Sequence, residues 1–562
     1  MRIKRYFPVL DHFSTHSKQE WSKDLIAGIT VAVMLVPQGM AYAMLAGMPP
    51  IYGLYGGLIP LFLYAFLGTS RQMSIGPVAV SALLVLAGVS QIAEPLTPEY
   101  ISLVILTGLL IGALQVALGF FRLGFLVNFI SHPVIVGFTS AAAIIIAISQ
   151  FKDLLGFSIP RYSHSYETAK YAFQHLSETN WVTVVMCLGS IAIMLGLRKI
   201  NRAIPGALLV VIAGTVLTYF LGEQKLGIDL VKEVPQGLPA FQLPKLSLEN
   251  IRILVPTVLT VTIIGIVESI GIAKVLQSKH GNYKIRPNQE LLALGFSKIG
   301  GSFFQAIPSS GSFTRSAVNN EAGAQSGIAS IFTASLIGLT LVFLTPLFYF
   351  LPKAILAAII LLSVKSLFEF EEAKHLWHSN KGDFLMMLTT FIVTLALGIE
   401  EGVLAGVVLS IMVVLYKSAK PHMAVLGKLP DSTNYRNVNR FNLAEKIEGA
   451  LIIRFDDQLY FANASYFQDS IQQFVEDDHE VLKLFLLDAS NIHNVDSTGV
   501  HALEDVHKFL QKRKIRFYIS GLVGPVRDRL LKAGFSKRED VDVEFMDVHH
   551  AISHYKKSQA SS

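Results

Sequence analysis

Residues 301–325 read GSFFQAIPSSGSFTRSAVNNEAGAQ. Within them, Ile307-Pro308-Ser309-Ser310-Gly311-Ser312 breaks the helical pattern, because proline removes a backbone donor and the Ser/Gly run favours turns. Ser312-Phe313-Thr314-Arg315-Ser316-Ala317 then opens a short helical stretch near 312–323. Apolar segments of membrane-spanning length flank it, near 288–304 and 327–350. The irregular backbone therefore lies at membrane depth, where it persists only if protein buries it or water reaches it. A helix starting there presents free N–H groups and a partial positive charge. Arg315 adds a full charge in the first turn. That chemistry suits an anion, and it outweighs the alternative that Arg315 only snorkels or pairs with an acid, because intramembrane charge is functional by default.

Working outward, apolar runs recur at the roughly 20-residue length that a bilayer core requires. They fall near 25–44, 51–68, 72–92, 99–121, 127–150, 181–198, 203–222, 252–276, 288–304, 312–323, 327–350, 353–368, 382–398 and 400–418, which makes 14. Two others are irregular: Val36-Pro37-Gln38-Gly39 is expected to interrupt the first, and Ser74-Ile75-Gly76-Pro77 opens the third. Pro77 suits a first helical position, where its missing N–H is not needed. The third span of each set of seven is thus broken at a corresponding place. Broken helices at matching positions in two halves point to a transporter's binding site. The expected fold class is a polytopic α-helical membrane protein with a seven-plus-seven inverted repeat, its two broken helices meeting end to end at mid-membrane.

Composition agrees. Of 562 residues, 52% are hydrophobic and 16% charged, with mean hydropathy +0.49; soluble domains carry about 25% charged residues. The charge is uneven: residues 419–562 hold 19 Lys/Arg and 20 Asp/Glu, the density of a soluble domain. The reading divides the chain into a polar N-terminal segment 1–24, a transmembrane body 25–418, a linker 419–435, a soluble domain 436–556 and a tail 557–562. The net charge of +6 is too small and scattered for nucleic-acid binding. One cysteine, Cys187, excludes a disulfide framework or a Cys-built metal site. The first 24 residues lack the apolar core of a cleavable signal peptide. Arg2, Lys4, Arg5, Lys18, Lys23, Arg71, Arg122, the 198–202 turn and Lys279/Lys284/Arg286 fall on one side. The short opposite loops 48–52, 93–99 and 398–402 carry no Lys or Arg, so the positive-inside rule places both termini in the cytoplasm of a cell (inner) membrane.

Glu268, in Ile264-Gly265-Ile266-Val267-Glu268-Ser269-Ile270-Gly271, is an acid well inside a span. Burial favours its neutral form and a nearby Arg315 its charged form, a balance suited to exchanging a proton during transport; a permanent ion pair joining helices is an equal alternative. Gln38 and Tyr42, four residues apart, share a helix face. Gln38 suits an oxyanion and Tyr42 a pocket wall, against the plainer reading of a helix–helix hydrogen bond and an interface aromatic. Lys274 and Lys365 read as snorkelling at span ends. The chain has no Walker A loop, H-E-x-x-H or G-x-S-x-G, and His132 and the tail histidines lack ligand spacing. No enzyme, cofactor or metal site is expected, and transport without an ATP motif must run on gradients.

VPQGMAYAMLAGMPPIYGLYGG (36–57), GTSRQMSIGPVAVSALL (68–84) and the run from IVESIGIAK (266–274) to residues 301–325 together resemble the sulfate permease or solute-carrier anion transporters. DASNIHNVDSTGVHALEDV (488–506) is similar to a STAS domain. The resemblance covers nearly the whole chain. It implies 14 spans in two inverted repeats, a core and a gate domain, elevator-like movement, a homodimer, and an anion held between the third and tenth helices near Gln38, Tyr42, Val78, Thr314 and Arg315, with Gly76, Ser312 and Phe313 in the same broken segments. Proton-coupled members similar to the plant sulfate transporters have an acid at the position of Glu268; sodium-coupled bicarbonate members differ in the eighth helix. Val78 departs from several animal relatives, which carry an aromatic there, so pocket size and substrate stay open.

In the tail, strands near 449–464 and 482–488 alternate with helices near 465–478 and 499–512, a strand at 515–521 and a helix at 523–533, which reads as an α/β domain. The serine matching Ser497 is phosphorylated in related bacterial regulators, although Ser497 also suits a helix N-cap. The expectation is uptake of a small inorganic anion, sulfate foremost, with protons as the coupling ion, in a lipid-embedded homodimer whose STAS domain sets dimer contacts or meets a cytoplasmic partner. Bicarbonate or dicarboxylate transport and a membrane-anchored anion sensor are the rivals.

Overall fold

The computed structural model describes residues 7–125, 131–160, 162, 164–200, 205–222, 227–281, 283–478, 482–535 and 541–560. It divides into Met1–Ser410 and Ile411–Ser562. Arg2, Lys4, Arg5, Asn201 and Arg202, used above for orientation, lie outside the described residues, as do the first residues of the spans expected at 127–150 and 203–222 and the end of the tail.

After a short helix Val9–Thr15, the described residues form helices at each expected span, the last running from the first unit into the second: α1 Lys18–Leu45, α2 Ile51–Leu67, α3 Ala79–Val89, α4 Pro98–Phe120, α5 His132–Ser149, α6 Trp181–Ile200, α7 Gly206–Leu221, α8 Leu248–His280, α9 Pro287–Phe303, α10 Phe313–Glu321, α11 Ile328–Leu339, α12 Lys353–Val364, α13 Lys381–Ala396 and α14 Ile399–Ala419. Among the described residues, seven helices are long and apolar enough to cross a membrane unaided. At 1.5 Å per residue, the 11 residues of α3 and nine of α10 cover about 17 and 14 Å, roughly half a bilayer core. Local chemistry sets several starts. Ser17 and Glu20 form a capping box ahead of α1, Thr97 caps α4 before Pro98, and Ser247 caps α8, which ends at left-handed Gly281.

The expected break at Val36-Pro37-Gln38-Gly39 is absent: α1 runs through Pro37 without interruption. Pro37 removes one helical hydrogen bond, a loss that surrounding helices tolerate in membranes. The motif instead marks a close crossing, since a Cβ on Gly53 of α2 would lie 1.9 Å from the Gly39 carbonyl oxygen. Gly112 of α4 and Gly295 of α9 make a second such crossing, each backbone oxygen within 2.8 Å of the other's ideal Cβ.

The packing has the two-fold logic of an inverted repeat. Helix α1 packs on α10 and α11, as α8 packs on α3 and α4; α2 packs on α11 as α9 does on α4; α5 packs on α13 as α12 does on α6. Two groups result. Helices α1–α4 and α8–α11 form one, and α5–α7 with α12–α14 form the other, α14 seating Gly402 and Gly406 against α13 and α5.

The second unit holds a six-stranded sheet, β3 Met423–Lys428, β4 Tyr435–Asn437, β5 Ala450–Phe455, β6 Leu484–Asp488, β7 Arg516–Ser520 and β8 Val541–Phe545, in the order β4-β3-β5-β6-β7-β8. (β1 and β2 belong to the first unit and are given below.) Strands β5 to β8 are parallel, and β3 is antiparallel to β5 and β4. Central β6, LFLLD, is buried throughout, as a parallel strand covered on both faces must be. Helices α15 Ala464–Asp477, α16 Ser497–Lys512 and α17 Gly524–Lys532 pack on one face through Phe467, Leu503 and Leu530; α18 Val548–Ala560 covers the other through Ile552 and Tyr555. Two expectations are corrected. The stretch 419–435 is not a free linker, because its alternating apolar residues place β3 in the sheet. The strand expected over 449–464 ends at Phe455, where Asp456 and Asp457 turn the chain away.

Candidate anion-binding site

Strands β1, Ile75–Gly76, and β2, Ser310–Gly311, cross antiparallel, Ile75 opposite Gly311 and Gly76 opposite Ser310. Helices α3 and α10 start from this crossing, with Val78 and Ser312 as extended N-cap residues. Serines secure the irregular backbone. Ser269 Oγ of α8 accepts from Gly311 N at 2.9 Å, Ser316 Oγ accepts from Ser74 N at 3.0 Å, and Ser309 Oγ donates to Gly56 O at 2.8 Å. Ser81 and Ser310 face each other at 3.4 Å. These bonds help the short strands persist among helices by giving backbone groups at and beside the crossing a neighbouring hydroxyl.

Arg315 is fully buried, and Nε, Nη1 and Nη2 all lack a hydrogen-bond partner among the described residues. Its guanidinium reaches across to β1, where a Cβ added to Gly76 would lie 3.1 Å from Nη2. Ser312 Oγ accepts from Arg315 N at 3.4 Å and caps α10. Glu268 Oε2 is likewise buried without a partner, and no ion pair within 4 Å joins it to Arg315 among the described residues. Arg315, Glu268 and Tyr42 nonetheless lie within electrostatic reach of one another, with Ser363 of α12 beside Tyr42. The alternative of a permanent ion pair at Glu268 is not met with Arg315 among the described residues.

The structure brings Tyr42, Gly76, Ser312, Arg315 and Glu268 together. Val78 is buried at the head of α3. Gln38 is buried on α1, which packs against α10, but no described residue hydrogen-bonds its amide. Phe313 is 57% exposed and Thr314 is exposed as well. They lie at the start of α10, which packs on α1 and α8 and is bonded through Ser316 and Asn319 to the segment before β1. Helix α1 packs on α7 and α12 of the other group, and α3 on α5; neither α8 nor α10 packs on that group to the same extent among the described residues. The two-fold symmetry of the packing is broken there, and Phe313 and Thr314 on that side are exposed. Ser497 belongs to the second unit. It is exposed at the first position of α16, and Asp496, not Ser497, caps that helix by accepting from Gly499 N at 2.7 Å.

The chemistry follows from what is left unsatisfied. In α3 the first helical bond runs from Ala82 N to Val78 O, so the N–H groups of Ala79 to Ser81 have no helical acceptor. The first N–H groups of α10 point to the same crossing. Burying an unpaired guanidinium costs several kcal/mol, a cost that a desolvated anion between the helix starts would offset. Sequence reasoning overlooked Ser269, Glu290 and Lys298. Glu290 is fully buried and accepts from Tyr64 OH at 2.7 Å, Thr69 N at 2.6 Å and Ser70 N at 3.0 Å, besides the Thr69 hydroxyl. Lys298 is buried in α9 and donates to Gln115 Oε1 at 3.1 Å. A charge amid Leu291–Phe296 and Ile299 was the available signal.

Comparison with known proteins bears on these features directly. The model for the sulfate permease family matches residues 21–390, and that for the STAS domain residues 443–551. "Sulfate transporter 4.1, chloroplastic" of Arabidopsis thaliana is 39% identical, covering 98% of this chain and 82% of its own. "Probable sulfate transporter 4.2" of the same plant is 39% identical, covering 98% and 83%. The structure of murine Slc26a9, described as an anion transporter in the inward-facing state, superposes with TM-score 0.91 at 27% identity over 99% of this chain and 95% of that one. The transmembrane domain of the cyanobacterial bicarbonate transporter BicA shares the fold, with TM-score 0.61 and 22% identity over 70% of this chain and 98% of that one.

Proposed function

Because the chain belongs to the sulfate permease family and carries a STAS domain after its membrane body, we propose that it imports sulfate together with protons by an elevator-type exchange of access. It is an anion transporter in a multi-pass membrane family, not an enzyme. The observation that carries the reading is the buried, unpartnered Arg315 guanidinium lying against Gly76 where two half-length helices begin. Sulfate is favoured over bicarbonate because relatives named as sulfate transporters align over nearly the whole chain, whereas the likeness to BicA is one of fold.

Arg315 supplies one positive charge for a dianion, and the N–H groups of α3 and α10 supply the rest. Glu268 is the coupling group. Its carboxylate would repel sulfate across the same site, so anion and proton enter together. Gln38, Val78, Thr314 and Tyr42 line the passage and set its size. The group α1–α4 with α8–α11 carries the site past the gate α5–α7 with α12–α14. The exposed start of α10 supports an inward-open state, with both termini in the cytoplasm of a cell membrane and the STAS domain regulating a homodimer, there meeting a cytoplasmic partner or taking phosphate on Ser497.

The test is uptake of labelled sulfate into proteoliposomes with and without a pH gradient. Acid outside should drive accumulation, Arg315→Ala should abolish binding, and Glu268→Gln should keep binding while losing pH-driven accumulation. Unchanged pH dependence in Glu268→Gln removes that residue from coupling. Binding without accumulation favours a sensor, and stimulation by Na⁺ rather than acid favours bicarbonate.

A further inference from the structure

One short pattern occurs twice in the chain, once in each half. Tyr166-Glu167-Thr168-Ala169-Lys170-Tyr171-Ala172-Phe173 and Phe370-Glu371-Glu372-Ala373-Lys374-His375-Leu376-Trp377 both read aromatic-Glu-x-Ala-Lys-x-x-aromatic. The first lies in a helix Ser165–Gln174 between α5 and α6, the second in a helix Phe370–Ser379 between α12 and α13. An asparagine then caps the next span in each case. Asn180 Oδ1 accepts from Val182 N at 3.0 Å and Thr183 N at 3.4 Å, and Asn380 Oδ1 from Gly382 N at 3.0 Å and Asp383 N at 3.3 Å. The two helices are equivalent members of the inverted repeat.

Their faces match as well. Residues seven apart share one side of a helix, and Tyr166, Phe173, Phe370 and Trp377 are each more than half exposed, with Lys170 and Lys374 exposed beside them. The opposite side holds to protein: Ala172 and Leu376, at the same place in the pattern, are buried, Leu376 against Val136 of α5 and Met387 of α13. Helix α5 joins the two. At its start His132 Nε2 lies 3.5 Å from Glu372 Oε1, and just past its end the Phe151 ring meets that of Phe173 edge-on at 6.4 Å. Its 18 residues, at 1.5 Å each, span about 27 Å. A bilayer's hydrocarbon core is about 30 Å thick. The two aromatic faces are therefore one bilayer core apart, at opposite ends of a membrane span.

That spacing identifies the partner. A short helix with aromatic rings on its outward face and a lysine among them suits the boundary between headgroups and acyl chains, where the rings enter the apolar side and the lysine stem reaches back to the phosphates. We propose that Ser165–Gln174 and Phe370–Ser379 are paired interfacial helices that bind the two headgroup layers of the bilayer and so hold the group α5–α7 with α12–α14 at one depth. A shift along the membrane normal carries the rings of one helix into water and the Glu and Lys of the other into hydrocarbon, so both directions cost free energy. This seating does not depend on the transport reading; under that reading it supplies the fixed frame past which the anion site moves.

The experiment reconstitutes the full chain in phosphatidylcholine vesicles with an NBD fluorophore on F173C or on W377C. Cys187 is fully buried, so the wild-type chain serves as the labelling blank. Quenching is compared for lipids carrying a nitroxide beside the headgroup, lipids carrying it at the chain end, and iodide on both sides of the membrane. Both labels should be quenched at least threefold more by the shallow nitroxide than by either of the others. A label on F461C, exposed in the second unit, should respond to iodide instead. Stronger quenching by iodide at either helix places it in water and overturns the proposal. Stronger quenching by the deep nitroxide overturns it too, as does quenching by none of the three, the result if a second copy of the chain covers the face. Sulfate enters no step of this measurement, so a failed depth profile leaves the transport reading standing, and failed sulfate uptake leaves the depth profile standing.

Discussion

Replacing Arg315 with methionine should stabilise the anion-free protein while removing its response to sulfate. Arg315 is fully buried and three of its nitrogens lack partners. Each unsatisfied buried group costs about 1–3 kcal/mol. Replacing buried ionic groups by apolar side chains of similar volume is worth about 1–4 kcal/mol. Sulfate at a hundred times its Kd adds about 2.7 kcal/mol to the wild-type protein and nothing to a variant that does not bind. In thermal melts of detergent-purified chain, Arg315→Met should therefore melt a few degrees above wild type in gluconate, and the gap should close or reverse in sulfate. The reasoning fails if the variant melts lower without anion, as it would if the guanidinium pinned helices together. It also fails if both proteins gain equally from sulfate.

A Cβ at Gly76 would press on the Arg315 guanidinium from 3.1 Å, so Gly76→Ala should weaken sulfate binding about tenfold, roughly 1.4 kcal/mol, at normal expression; equal affinity in a binding titration would show the guanidinium is not held there. Lys298 has one hydrogen bond, to Gln115, so Lys298→Met should fold as well as wild type or better and still transport sulfate, as read by melting and vesicle uptake. In the second unit, burial would raise the Asp456 carboxyl, but hydrogen bonds from Arg454, His422 and Asn491 and the Arg454 charge hold it down at about 2. Its folded value lies below the unfolded value near 3.9, so its stabilisation, at most about 2 kcal/mol given partial exposure, is present above pH 4 and lost as pH falls towards 2. Asp456→Asn should lower melting near neutral pH and flatten that acid-side decline; an unchanged pH profile of melting would refute the assignment.

The short tenth helix was legible because Pro308, the serines and Gly311 deny a continuous helix, while Ser312 and Arg315 supply a cap and a charge at once. Ser74–Pro77 carried the Ser, Gly and Pro signals without the charge, so two facing helix starts were anticipated there, but not the strands β1 and β2 that cross ahead of them. Pro37 misled because proline reports a lost hydrogen bond locally, whereas the Gly39–Gly53 contact that holds α1 against α2 is decided 14 residues away. Glu290 drew no reading from the sequence, and only the fold shows the Tyr64 and Thr69 donors surrounding it. Strand β3 escaped notice because six residues of modest alternation become a strand only when β5 and β4 lie beside them. At the start of α16, Asp496 and Ser497 both suit capping, and one residue of register decides between them.

The most direct measurement is the position of a heavy sulfate analogue, selenate, in a structure of the purified chain. The account places it between the first N–H groups of α3 and α10, within hydrogen-bonding distance of the Arg315 guanidinium, and absent from Arg315→Ala. Selenate bound elsewhere in the membrane body, with Arg315 paired to protein alone, would contradict it.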